Sequence, residues 1–188
     1  MVYPIYVIGH PVLRKKAVDV DRDYEGLSQF IDDLFETMYK ADGLGLAAPQ
    51  VGKSIRVFVV DGAPISDDEP ELADFRHVFI NAHITERSGE IVPMNEGCLS
   101  IPKLHEEVNR ESFIRMNYYD ENWVYHEAVF EGYKARIIQH EYDHLDGILF
   151  TDKVSPIRKR LIKSKIIALS KGKFDVGYKT ILPKQKVR

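Results

Sequence analysis

Between residues 27 and 38 the apolar side chains Leu27, Phe30, Ile31, Leu34, Phe35 and Met38 fall at i, i+3, i+4, i+7, i+8 and i+11, with polar residues between them. That period puts them on one face of an amphipathic helix, predicted over residues 23–40 and stopped by Gly43. The pattern then changes. Residues 55–60 form a β-branched run bounded by Ser54 and by Asp61-Gly62, a strand signal, and residues 78–84 carry another. Residues 112–119 and 123–130, joined by Asp120-Glu121-Asn122, predict a β-hairpin. A second helix is expected over residues 131–145, ended by Gly147, and a third from Ser155-Pro156, with serine as cap and proline in the first turn. Its apolar stripe is Ile157, Leu161, Ile162, Ile166 and Leu169.

The remaining stretches carry weaker patterns. Residues 4–20 read as an extended lead-in punctuated by proline, and residues beyond Gly172 show little periodicity. Residues 61–76, with Asp67, Asp68, Glu69, Glu71 and Asp74, read as a solvated acidic excursion. These elements predict an α+β fold, with mixed or antiparallel sheets packed around the helix at 131–145 and a further helix near the C-terminus.

Length changes the picture only by limiting it: 188 residues make one catalytic-sized domain. Within it residues 1–155 form the expected core and 156–188 a basic helix and tail. No apolar run approaches the roughly 20 residues needed to cross a bilayer. No basic leader precedes an apolar stretch, so a cytoplasmic protein without membrane contact is expected. The single cysteine, Cys98, excludes an internal disulfide. The net charge of −3 hides an asymmetry, about +10 after Pro156 against about −13 before it.

The chemistry is concentrated in His140-Glu141-Tyr142-Asp143-His144. On a helix, residues four apart share a face, so His140 and His144 can converge on one divalent ion with Glu141 beside them as a proton acceptor. A hydrolytic site needs a third protein ligand. A downstream glutamate is excluded, because none follows Glu141, and the histidine of a longer protease pattern is replaced by Phe150. Cys98 and the isolated histidines His10, His77, His83, His105 and His126 remain. Cys98 is favoured, since it follows a glycine in a turn-like, polar context, and isolated histidines are more often surface or hydrogen-bonded residues.

The glycine-rich stretch Gly43-Leu44-Gly45-Leu46-Ala47-Ala48-Pro49-Gln50 imitates two nucleotide motifs and satisfies neither. A helix rather than a strand precedes Gly43-x-Gly45-x-x-Ala48, and a strand rather than a helix follows Gly52-Lys53-Ser54.

Together with Glu96-Gly97-Cys98-Leu99-Ser100 and Gln139 through Gly147, this stretch resembles the three signature motifs of the peptide deformylases, in order and at compatible spacing. The resemblance runs from about residue 11 to 150. It implies hydrolysis of the formyl group from formyl-methionyl nascent polypeptides by a metal held on Cys98, His140 and His144. It also implies Glu141 as proton carrier, with the Gln50 amide and the Leu99 backbone N–H as oxyanion donors. Gly45 would lie against the peptide backbone. Arg110 would contact the peptide and Arg115 would pair with Glu96. Tyr133 and Ile137, seven and three residues before His140, share its helical face and are expected to line a pocket for the methionine side chain. Such a ligand set accepts Zn(II), Co(II), Ni(II) or Fe(II), and the resemblance implies Fe(II). The basic C-terminal helix suggests a ribosome contact. Rival readings are a peptidase cutting internal bonds and a non-catalytic, metal-stapled module that binds RNA.

Overall fold

The computed structural model describes residues 1–184; residues 185–188, the end of the predicted basic tail, lie outside the described residues. In chain order the elements are β1 (Ile5–Tyr6), α1 (Leu27–Lys40), β2 (Gly45–Ala47), β3 (Val57–Asp61), β4 (Arg76–Cys98), β5 (Ile101–Tyr119), β6 (Tyr125–Glu131), α2 (Gly132–Leu145), α3 (Pro156–Ser170) and β7 (Thr180–Ile181). Among the described residues β2 to β6 form an antiparallel sheet in sequence order, and β1 pairs with β7 in parallel. This is the expected α+β fold.

The sheet lies between two helices because its strands alternate faces. Leu46, Val57, Val59, Val78 and Ile80 pack with the apolar stripe of α1. Ala47, Phe58, Val60, Phe79, Ile114 and Met116 pack with Ala135, Ile138, Tyr142 and Leu145 of α2. Every residue of β3 is buried, which explains why apolar residues run from Val57 to Val60 without polar alternation. A third cluster joins Val7, Leu13, Ile101, Leu104, Phe150 and Val154 to Ile162 and Leu169 of α3.

Several expectations need correction. The first helix begins at Leu27 rather than near residue 23. The strands predicted at 78–84 and 112–119 are parts of β4 and β5, which run 23 and 19 residues as one long, bulged hairpin. The stripe of α3 is only half used, since Ile157 and Leu161 are 72% and 64% exposed while Ile162 and Leu169 are buried. The acidic excursion is not merely solvated. It forms two short 3-10 turns, buries Leu72 and Phe75, and lets Glu71 accept a hydrogen bond from the backbone N–H of Tyr133. Glu131, at the N-cap of α2, provides no side-chain cap, so a distant carboxylate serves the helix N-terminus instead. Among the described residues no helix is long and apolar enough to cross a membrane.

Candidate metal centre

Three elements deliver the site. Residues Cys98 and Ile101 close the β4–β5 hairpin, so Cys98, Leu99 and Ser100 lie in its turn. Helix α2 presents His140, Glu141 and His144 toward that turn, and the loop after α1 brings Gly43 to Gln50 across it. One nitrogen of each histidine and the Cys98 sulfur all lie within 4.8 Å of one another. His144 Nε2 is 3.3 Å from Cys98 Sγ. The isolated histidines left open by the sequence are not part of this cluster.

Surrounding groups orient the three. His140 Nδ1 lies 3.0 Å from Glu96 Oε2, which leaves its other nitrogen facing Cys98. Glu96 also accepts from Arg110 at 2.6 and 2.9 Å and from Arg136 at 2.8 Å, and Arg110 reaches Asp143 at 2.6 Å. Burial raises the proton affinity of the Glu96 carboxyl, but hydrogen bonds from Arg110 and His140 outweigh it and hold the group well below the ordinary carboxylate range. Burial likewise works against the Arg110 charge, and Glu96 and Asp143 overcome it and raise the guanidinium above its ordinary value.

This network corrects two expectations. Arg110 is 2% exposed at its side chain and wholly engaged by carboxylates, so it is a structural ion-pair partner rather than a peptide contact. Arg115 is not the partner of Glu96. An odd offset along β5 puts it on the opposite face, where it pairs with Glu86 at 3.4 Å. Arg136 and Asp143, which the motif pattern does not single out, complete the network. Their positions four before and three after His140 were the available signal, since both fall on the helix face of the motif.

The two imidazoles are driven in opposite directions. Burial opposes a charge on both imidazoles, yet the Cys98 and Glu96 hydrogen bonds hold the proton affinity of His140 well above the ordinary value. Burial and the His140 charge carry that of His144 well below it. Burial pushes Glu141 up to about 7. Its Oε2 and the Nδ1 of His144 are buried without a hydrogen-bond partner among the described residues. A donor set of one sulfur and two imidazoles, converging beside a buried, unpartnered carboxylate, fits a divalent metal.

Gln50 is buried and bridges. Its Oε1 accepts from the Ala47 N–H at 2.8 Å, which turns its amide nitrogen toward Ser100 Oγ at 3.3 Å and Cys98 Sγ at 3.5 Å. Gly45 lies on β2, which has a single partner strand, β3, among the described residues. A side chain there would put Cβ 2.6 Å from Glu141 Oε1, so only glycine leaves room for the carboxylate. These groups open onto a cleft of about 410 Å³, lined also by Leu99, Tyr133 and Ile137. Val176 and Tyr178 form part of its wall, although the tail beyond Gly172 shows no pattern that would have placed them there. Burial and the nearby Cys98 push the Tyr178 hydroxyl up to about 12, so it keeps its proton, and it donates to the Leu99 carbonyl at 2.8 Å.

Comparison with known proteins follows the same lines. A family model described as polypeptide deformylase matches residues 2–160. The peptide deformylase of Christiangramia forsetii is 51% identical over an alignment covering 99% of this chain and 98% of that protein. Among solved structures, the peptide deformylase of Thermus thermophilus is 44% identical with a TM-score of 0.79, over 91% of this chain and 97% of that one. That of Thermotoga maritima is 42% identical with a TM-score of 0.74, over 83% and 99%.

Proposed function

The chain belongs to the polypeptide deformylase family, metal-dependent hydrolases that remove the formyl group from the N-terminus of nascent polypeptides, and from that premise we propose how its own residues divide the work. Cys98, His140 and His144 hold one divalent ion, Fe(II) in the cell, with Zn(II), Ni(II) or Co(II) able to substitute. When bound, the ion supplies Lewis acidity and brings the pKa of a water toward neutrality.

Glu141 takes the proton from the attacking water on its unpartnered oxygen and passes it to the departing amine. Burial suits it to that task, since a carboxyl near neutrality accepts and releases a proton at similar cost. As the formyl carbon becomes tetrahedral, the Gln50 amide and the Leu99 N–H donate to the developing oxyanion. Losing one such donor costs about 3 to 4 kcal/mol of barrier. The peptide adds as a strand along the edge of β2 at Gly45, and its methionine side chain enters the apolar pocket made by Ile137 and Tyr133.

The observation that carries this reading is the convergence of one sulfur and two imidazoles beside the unpartnered Glu141 carboxylate. Anaerobically purified protein is assayed for metal content and for formate release from formyl-Met-Ala-Ser. One formate per new amine is expected. Glu141→Ala should keep its metal and lose at least about a hundredfold in rate. Cleavage of internal bonds without formate release would overturn the assignment.

The whole chain acts as one catalytic domain in the cytoplasm, with α3 and the basic tail as a candidate ribosome contact. Supporting it, α3 leaves its basic residues and Ile157 and Leu161 exposed. Charge reversal at Lys159 and Lys163 should weaken co-sedimentation with ribosomes at low salt. Unchanged co-sedimentation would remove the idea.

A further inference from the structure

The C-terminal segment is tied down far from its neighbours in sequence. Gly172, at φ +79°, turns the chain back after α3, and Phe174 packs against the cluster beneath that helix. Two backbone bonds then fasten β7 to the start of the chain, from the Ile5 N–H to the Lys179 carbonyl and from the Val7 N–H to the Ile181 carbonyl, each 2.9 Å. The residues between these anchors cross the cleft wall, with Val176 and Tyr178 facing inward. The segment from Gly172 to Ile181 lies beyond residue 160, where the match to the family model ends.

We propose that Tyr178 is a positioning residue for deformylation, its hydroxyl holding Leu99 in the orientation that aims the Leu99 N–H at the developing oxyanion. The inference rests on the reading of that N–H as an oxyanion donor. In the Cys98–Ile101 turn two successive carbonyls are pinned from outside. Tyr178 Oη donates to Leu99 O at 2.8 Å, and the Ile8 N–H donates to Ser100 O at 2.8 Å. The N–H and carbonyl of Leu99 flank one Cα, so anchoring the carbonyl restricts rotation of the residue and with it the direction of the N–H. The turn's own pairing, Cys98 with Ile101, leaves Leu99 and Ser100 outside the ladder. The Leu99 side chain is only partly buried against the core cluster, so its packing is a weaker anchor. Because β1 and β7 are paired to each other, the Ile8 and Tyr178 anchors flank one two-stranded sheet. The tail therefore supports one of the two donors, Leu99, while Gln50 is placed by Ala47 and the hairpin turn.

The hydroxyl and the ring have separable effects. A donor that fixes geometry acts on the transition state and changes kcat, whereas a wall acts on bound peptide and changes KM. Full-length wild type, Tyr178→Phe and Tyr178→Ala are compared for formate release from formyl-Met-Ala-Ser, and for amide hydrogen exchange in fragments covering residues 98–101. Tyr178→Phe should lower kcat roughly fivefold, the scale of one hydrogen bond, with KM within about twofold and faster exchange at 98–101. Tyr178→Ala should lower kcat at least as much and raise KM as well. Wild-type kcat and exchange in Tyr178→Phe would overturn the proposal, and so would a loss that simply tracks a fall in melting temperature. Absence of formate release by the wild type would instead overturn the functional reading, and this inference with it.

Discussion

His140 Nδ1 sits 3.0 Å from Glu96 Oε2, and the same carboxylate is shared by two buried arginines. One carboxylate thus orients the His140 imidazole and ion-pairs with both Arg110 and Arg136, Arg110 having Asp143 as a second partner. Replacing it by Glu96→Gln should lower metal affinity about 10- to 100-fold, the usual effect of losing such a partner. It should also destabilise the metal-free protein by about 3 to 5 kcal/mol, because buried Arg136 loses its carboxylate partner and Arg110 one of its two. Chelator competition measures the first and urea unfolding the second. Wild-type values in both would show that the network neither orients nor supports the site.

Gly45 and Glu141 compete for one volume. A methyl group at residue 45 would meet the Glu141 carboxylate at 2.6 Å, and β2 is fixed by pairing with β3, so the carboxylate must move. A displacement of that size at a proton-transfer group costs on the order of a hundredfold in kcat/KM. Gly45→Ala should therefore lose activity while keeping its metal and its melting temperature. Full activity in the variant would mean that Glu141 works from another position.

What the chain discloses locally and what it conceals follow from how far each pattern depends on distant partners. Helix α1 is legible because a single buried face imposes a 3.6 period, and β3 because burial on both sides demands β-branched residues. The long β4–β5 hairpin is obscured by Gly89, Pro93 and Gly97 within β4, which read as breakers, and by register shifts that interrupt alternation. Pairing along the partner strand overrides them. The convergence of His140 and His144 was readable because H-E-x-x-H is a local geometry. Arg110 and Arg115 were not distinguishable in role, since the face each occupies depends on a register the sequence does not state. Tyr178 is the extreme case, its place depending on a strand pairing between the two ends of the chain.

Tyr133 and Ile137 face the cleft from the same side of α2 as His140. Ile137 is nearly buried, whereas Tyr133 is half-buried, so truncating Tyr133 changes the pocket more than the core. Tyr133→Ala should raise KM for formyl-Met-Ala-Ser roughly tenfold, the scale of a lost apolar contact with the side chain. KM for formyl-Ala-Ala-Ser, which has little to place in the pocket, should stay close to wild type. Equal effects on the two peptides would assign Tyr133 to the core instead.

Arg158 of α3 grips Glu106 of β5 through two bonds of 2.7 Å. The arginine hydrogen bonds outweigh burial and lower the Glu106 carboxyl below its ordinary value. A carboxyl depressed on folding contributes stability in full above its unfolded pKa, about 4.3. That contribution is lost as pH falls from there through the lower folded value, because the folded state then takes up the proton that the unfolded state has already bound. Glu106→Gln should accordingly be less stable than wild type at pH 7, and the two melting temperatures should converge as the pH falls below about 4. Arg158→Gln should show the same convergence, and the double variant should be no worse than the singles, since the pair acts as a unit. A gap between Glu106→Gln and wild type that stays constant from pH 7 to pH 3 would mean that the ion pair does not hold α3 against the sheet. The basic helix would then be docked by Ile162, Ile166 and Leu169 and by the Lys165 bond to the Lys103 carbonyl.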